Sequence, residues 1–369
     1  MSEEAHVDMR TFWNAAVLTV VAWLCQLPVS AATDESLRAY VQRPDPAYAW
    51  SLHHEESGLL ARYYFLRLQS QTWLDDSRVD RSLWWHELRG AQPRSIFCGP
   101  SADRSTTAVL IISGGSNRDK LSKNPADFAG AIARNFCRPV FELKQVPNQK
   151  LTFADETEPR KEDELLAYSA MRFLKGDAAD WPAHKAMVKS TAQAMTAIQE
   201  FSRQRDEIPD IEDFVLIGAS KRGWTAWLTG AVDDRVRGII PVVIDVLNIE
   251  AHLQHHLSSY GEYAPALTDY AAYDIACSLK SERGDALLDI IDPYRYRTQL
   301  SLPKFVLNSA GDEFFISDSS RFYYDDLPGN KRLRYTLNTD HGQGAFADRF
   351  RLFQQAGNWV DDIVAGREP

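Results

Sequence analysis

Ala108-Val109-Leu110-Ile111-Ile112 is apolar at every position and ends in the tight Ser113-Gly114-Gly115-Ser116-Asn117. A short run without polar alternation predicts a strand buried on both faces. Pro139 to Leu143, Asp213 to Ile217, Val236 to Ile244 and Lys304 to Ser309 repeat the pattern, and Arg332 to Leu337 reads as a final strand. Two earlier runs, Tyr63 to Trp73 and Leu83 to Leu88, predict strands that pair as an antiparallel edge. Helical spacing of apolar positions covers Pro125 to Asn135, Glu162 to Leu174 and Trp181 to Arg203, the last with a long polar face, and an amphipathic helix over Phe346 to Ala365 closes the chain. Leu247 to Leu288, rich in His, Tyr and Leu, predicts helices inserted between two sheet strands like a lid spanning about residues 247–295. Strands alternating with helices point to one α/β domain over residues 33–369, a doubly wound, mostly parallel sheet. No internal repeat, low-complexity tract or Pro/Ser-rich linker interrupts it.

Composition changes this picture little at first. With 369 residues, 44% hydrophobic and 25% charged, the chain can bury a large core. The net charge of -10 argues against a nucleic-acid partner, because such binding draws on lysines and arginines that neutralise phosphates. The N-terminus adds an address. Arg10, the apolar run Thr11 to Leu24 and the small-residue site Val29-Ser30-Ala31-Ala32 predict a signal peptide over residues 1–32 and an exported, periplasmic or secreted product. The acidic Glu3, Glu4 and Asp8 suit translation starting at Met9. Asn14, Gln26 and Pro28 break the run before the roughly 20 apolar residues a stable membrane span needs. Cys98, Cys137 and Cys277 follow the signal, so one disulfide leaves one free thiol, and spacing alone does not choose the pair. No Cys-x-x-Cys or clustered Cys/His pattern predicts a metal site, and no cofactor is called for. Nor does any pattern fix the oligomeric state.

The chemistry concentrates in Phe214-Val215-Leu216-Ile217-Gly218-Ala219-Ser220-Lys221-Arg222-Gly223-Trp224: an apolar strand, a Gly-x-Ser turn and a helix start. That layout is where the nucleophile elbow of an α/β-hydrolase fold is expected, and its sharp turn requires small neighbours around the serine. Gly218 and Gly223 supply them, although the second glycine stands one position later than in G-x-S-x-G and Arg222 takes its place. The competing reading of Ser220 is a helix N-cap. An elbow serine needs an acid and a histidine after later strands, in that order. Asp312, just after Phe305 to Gly311, and His341, just after the last strand, fill both places, with Asp245 and Glu313 as alternative acids. Backbone amides of Gly115 and Lys221 are the candidate oxyanion donors. The side chains of Lys221 and Arg222 either receive an acidic substrate group or form internal salt bridges. Asn148, Gln149, Arg222, Glu313, His255 and His256 are candidate substrate contacts, the two adjacent histidines pointing to different faces of a helix and so not forming a metal pair. Trp73, Trp84, Trp85, Tyr260 and Tyr263 either line a carbohydrate or aromatic pocket or pack the core.

Ser70-Gln71-Thr72-Trp73, Gln145-Val146-Pro147-Asn148-Gln149, Arg160-Lys161-Glu162-Asp163, Gly218 to Trp224 and Ser309-Ala310-Gly311-Asp312-Glu313-Phe314-Phe315 together resemble the PhoPQ-activated pathogenicity-related family, as do Ile244 to Asn248 and Asp318 to Tyr324. The resemblance runs from about Tyr48 to the C-terminal helix. It implies an α/β-hydrolase fold, export and a triad on Ser220, Asp312 and His341, and leaves the substrate open. The basic residue after the serine is also similar to the elbow of glucuronoyl esterases, which implies that a charge there can assist at the oxyanion. The expected function is a serine esterase acting on a small-molecule, carbohydrate or peptide-derived ester. A prolyl-oligopeptidase-like peptidase and a secreted binding or signalling protein on a hydrolase scaffold are the alternatives.

Overall fold

The computed structural model describes residues 36–98, 105–121, 127–344 and 346–367, so the expected signal peptide lies outside the described residues. Among the described residues nine strands form one sheet: β1 (Ala49–Ser57), β2 (Ala61–Thr72), β3 (Leu83–Pro93), β4 (Thr107–Ile112), β5 (Val140–Leu143), β6 (Asp213–Ala219), β7 (Val236–Val242), β8 (Lys304–Ser309) and β9 (Lys331–Thr336). They lie in the order β1-β2-β3-β5-β4-β6-β7-β8-β9. From β5 across to β9 every pairing is parallel, while β1, β2 and β3 alternate direction and join β5 antiparallel. This is the doubly wound, mostly parallel arrangement expected from the sequence. One strand differs: β1 lies outside the anticipated β2–β3 pair and is the true edge. Its His53-His54-Glu55-Glu56 stretch carries too little apolar character to announce a strand.

The principal helices are α1 (Leu37–Gln42), α2 (Asp127–Phe136), α3 (Glu162–Leu174), α4 (Ala183–Ser202), α5 (Lys221–Val232), α6 (Ile249–Tyr260), α7 (Glu282–Ile291) and α8 (Phe346–Val364), with short helical turns between them. Alternate residues of the central strands feed two cores. Ala108 and Leu110 of β4, with Phe214 and Leu216 of β6, join the larger one under α3, α4 and α5. Val109 of β4 and Val215 and Ile217 of β6 join the smaller one under α2 and α8. Burial on both faces is the reason these strands read as unbroken apolar runs.

α4 departs from expectation, since its polar positions are buried rather than solvated. Two of them are partnered from elsewhere in the chain: Ser190 Oγ lies 3.1 Å from Ser70 Oγ and accepts from Gln71 Nε2 at 3.1 Å, and Lys189 reaches Asp45 at 3.4 Å. Buried polar groups are retained where a partner satisfies them. Cys98 and Cys137 form a disulfide, leaving Cys277 free and exposed. Between β7 and β8 the chain leaves the sheet as α6, several short turns and α7. Buried Asp292 closes this excursion: its carboxylate accepts from the amides of Asn248 (3.1 Å) and Ile249 (3.0 Å) at the entrance and Tyr294 (2.9 Å) at the exit. Among the described residues no helix is long and apolar enough to cross a membrane.

Candidate active site

Open parallel sheets gather ligands beyond the carboxyl ends of their strands, and Ser220, Asp312 and His341 follow such ends. β6 ends at Ala219 and α5 begins at Lys221, so the chain reverses on Ser220 alone. Ser220 takes φ 55° and ψ −130°, a conformation costly for a residue with a Cβ. Its side chain makes no capping hydrogen bond, which removes the N-cap reading. The turn also explains its glycines. A Cβ on Gly218 would lie 2.3 Å from the Arg222 carbonyl oxygen, and one on Gly223 would lie 2.7 Å from both the Gly218 oxygen and Ile244 Cγ2. The close approach is thus between residues 218 and 223, which accounts for the late second glycine.

Asp312 follows β8 and His341 follows β9, and the turns bring them together: His341 Nδ1 lies 2.8 and 3.0 Å from the two Asp312 oxygens. Asp312 is itself oriented by the Phe314 amide, which donates to it at 2.9 Å. Glu313 is not a second acid for the ring. It accepts the His341 backbone N–H at 3.0 Å and so holds the main chain of the same turn. Asp245 is likewise occupied elsewhere, since the buried carboxylate accepts from the hydroxyls of Tyr323 (2.5 Å) and Tyr335. Burial raises its pKa to about 6 against the effect of those hydrogen bonds.

The two cations after the serine turn inward, resolving the choice left open by the sequence. Arg222 makes a bidentate pair with Glu162 at 2.7 Å per bond and donates from Nε to the Val146 carbonyl at 2.6 Å. Gly114 makes room for that guanidinium, whose Nη2 would lie 2.6 Å from a Cβ there. Lys221 Nζ sits 3.0 Å from both Glu162 and Asp163. Burial alone would raise the Glu162 carboxyl, but the hydrogen bond and charge of Arg222, with Lys221 behind, hold it at about 2. Arg222 is therefore corrected from substrate contact to internal strut. The same correction applies to Gln149, whose amide oxygen accepts the Glu162 N–H at 2.7 Å while its nitrogen donates to the Glu162 carboxylate, and to fully buried Asn148, which donates to the Trp85 carbonyl. The backbone at the two candidate oxyanion positions remains suited to a ligand. Lys221 is the first residue of α5, where an N–H has no acceptor within the helix, and Gly115 takes φ 134°, open to glycine.

Ser220 and Lys221 border a cavity of about 110 Å³ that runs beneath the α6–α7 excursion. Its walls are mainly apolar, with Trp224 from α5, Phe314 and Phe315 from the Asp312 turn, and Leu267 and Leu279 from the covering segment. The His341 ring lies against the same wall, its centroid 4.5 Å from that of Phe314 and 6.2 Å from that of Phe315. Tyr263 and Tyr270 also line the cavity, and Tyr270 donates to Asp163 at 2.9 Å. Of the histidines singled out in the sequence, His255 instead pairs with Asp318 at 2.7 Å, and buried His256 meets His252 edge to face, their centroids 4.8 Å apart. The cavity walls carry His184 and His252, which the sequence reading missed. Burial pushes both imidazoles down to about 3, with His256 and His255 adding to the effect at His252, so both are neutral at ordinary pH. Trp73 and Trp84 belong to the core, and Tyr260 is exposed. No cluster of three metal-ligating side chains occurs among the described residues.

The sequence profile of the PhoPQ-activated pathogenicity-related proteins matches residues 37–365. The chain belongs to that family. A relative of this PhoPQ-activated pathogenicity-related chain is the autocrine proliferation repressor protein A of Dictyostelium discoideum, 33% identical over 318 residues and matched over 85% of this chain. The chain spans only 62% of that relative's length. Among solved structures, the acetyl xylan esterase of Paenibacillus sp. R4 superposes with a TM-score of 0.54 at 13% identity, covering 96% of each chain. Acetyl xylan esterase 1 of Thermoanaerobacterium sp. JW/SL YS485 follows with a TM-score of 0.51 at 13% identity, covering 89% of this chain and 94% of its own. At such identity the likeness establishes the α/β-hydrolase fold of this family member.

Proposed function

We propose that the chain is an exported serine hydrolase that cleaves carboxylic esters by two-step acyl transfer. The observation that carries this reading is the strained, uncapped Ser220 at the β6–α5 turn, bordering a cavity whose aromatic wall also contacts the Asp312-held His341 ring. In the first step Ser220 Oγ bonds to the ester carbonyl carbon as His341 takes its proton, and Asp312 steadies the imidazolium. The amides of Gly115 and Lys221 receive the oxyanion. The carbon–oxygen bond to the alcohol then breaks, the alcohol leaving with the proton from His341. Water repeats the sequence on the acyl-enzyme and releases the acid and the free serine. Export accords with the Cys98–Cys137 disulfide, since such bonds persist in oxidising compartments.

A second reading is favoured by one finding: the relative at 33% identity is named as a proliferation repressor, a name that describes a signal rather than a catalyst. On that reading the scaffold is a secreted binding protein. Fluorophosphonate labelling with peptide mapping separates the two. Modification at Ser220 that disappears in folded Ser220→Ala and His341→Ala variants is the expected result for a hydrolase. A well-folded protein that takes no label at Ser220 belongs to the second reading.

A further inference from the structure

The cavity beside Ser220 has a size, a charge and a shape that together specify an occupant. Its volume is about 110 Å³. An apolar protein cavity of about 150 Å³ holds a benzene ring, and a water-sized group takes about 30 Å³, so this one accommodates roughly four methylene-sized groups. Lys221, on its wall, is already neutralised, with both Glu162 and Asp163 at 3.0 Å from Nζ. Asp163, which shares in that pairing, and Asp274 also line it, and both are acidic. A carboxylate entering here would thus meet repulsion and lose its water without gaining a cation, a penalty no apolar wall repays. The histidines in the wall are buried and neutral and offer no charge either.

Resting on the acyl-transfer reading above, we propose that this cavity is the acyl pocket and selects a short, uncharged acyl group of about four carbons. The assignment to the acyl rather than the alcohol side follows from the order of events. The alcohol must depart before water attacks, and a cavity covered by α6, α7 and the turns between them suits the group that stays on Ser220. Leu279 on the covering segment and Ala170 on α3 both line the cavity. A change of size at either position therefore changes the room left for the acyl chain.

The test is a series of p-nitrophenyl acetate, butyrate, hexanoate, octanoate and hemisuccinate esters assayed on the full chain, alongside fluorophosphonate mapping of the same preparation. Expected is a kcat/KM maximum at butyrate, at least tenfold above both octanoate and hemisuccinate. In Leu279→Ala the maximum should move to hexanoate or longer, and in Ala170→Leu to acetate. If one variant fails to fold, the other still reads the pocket. Rates rising through octanoate, equal use of hemisuccinate and butyrate, or an unmoved maximum in a folded variant would overturn the proposal while Ser220 labelling leaves the hydrolase reading standing. Absence of labelling at Ser220 overturns both.

Discussion

Asp312 and Asp245 both follow sheet strands, yet their surroundings give them different work. Asp312 engages the His341 ring through both oxygens, whereas Asp245 is closed off by two tyrosine hydroxyls and pushed by burial to about 6. Asparagine at 312 can present a donor where His341 Nδ1 needs an acceptor, which fixes the wrong tautomer. Asp312→Asn is expected to lower kcat on p-nitrophenyl butyrate by on the order of 10³–10⁴-fold with the fold intact. Asp245→Asn, which retains an acceptor for one tyrosine and a donor for the other, should leave kcat far less affected than Asp312→Asn does. Equal losses in the two variants would return Asp245 to candidacy. These three positions were legible in the sequence because strand ends in an open sheet are predictable from apolar runs. The roles of Glu162, Asp163 and His184 were not, since each depends on a partner many residues away: Glu162 on Arg222, Asp163 on Tyr270, and His184 on the Trp224 ring 4.4 Å from its own.

The same rule holds for whole elements. β4 and β6 announced themselves through burial on both faces, but α4 showed polar letters that only β2 and the Asp45 turn explain, and β1 showed a solvated edge. The covering segment was readable as helices, though not how it is fastened. Its ends are pinned by Asp292, whose carboxylate serves three backbone amides. Removing it leaves those amides without their acceptor, at a cost of about 1–3 kcal/mol for each one that stays buried. In Asp292→Ala, amide hydrogen exchange should accelerate across α6 and α7 while β4, β6 and α5 keep their protection. Uniform acceleration through the sheet would mean that Asp292 supports the whole domain rather than its cover.

At the scale of the molecule, buried titratable groups set how stability follows pH. His86, His184 and His252 are held neutral by burial, at about 4, 3 and 3. An unfolded histidine titrates near 6.5, so below that pH the unfolded chain takes up more protons and the fold loses stability. Asp245 and Asp292, raised by burial to about 6, act in the opposite sense, because the folded state binds their protons more tightly between pH 6 and about 4. Three groups acting from the higher pH outweigh two. Glu162, held at about 2, adds to the loss as pH falls below about 4.3. The urea midpoint should therefore be highest near neutrality and decline steadily from pH 6.5 to 4; a midpoint that rises over that interval would contradict the assignment of neutral buried histidines. The Asp292 fastening has one more consequence. Because it draws the start and finish of residues 248–294 to a single carboxylate, that stretch behaves as a cassette whose two ends meet beside the sheet. Ser220, Asp312 and His341 all lie outside it, so on the proposed acyl-transfer reading an exchange of this one contiguous piece of gene would rewrite what the protein accepts while leaving the proposed reactive groups untouched.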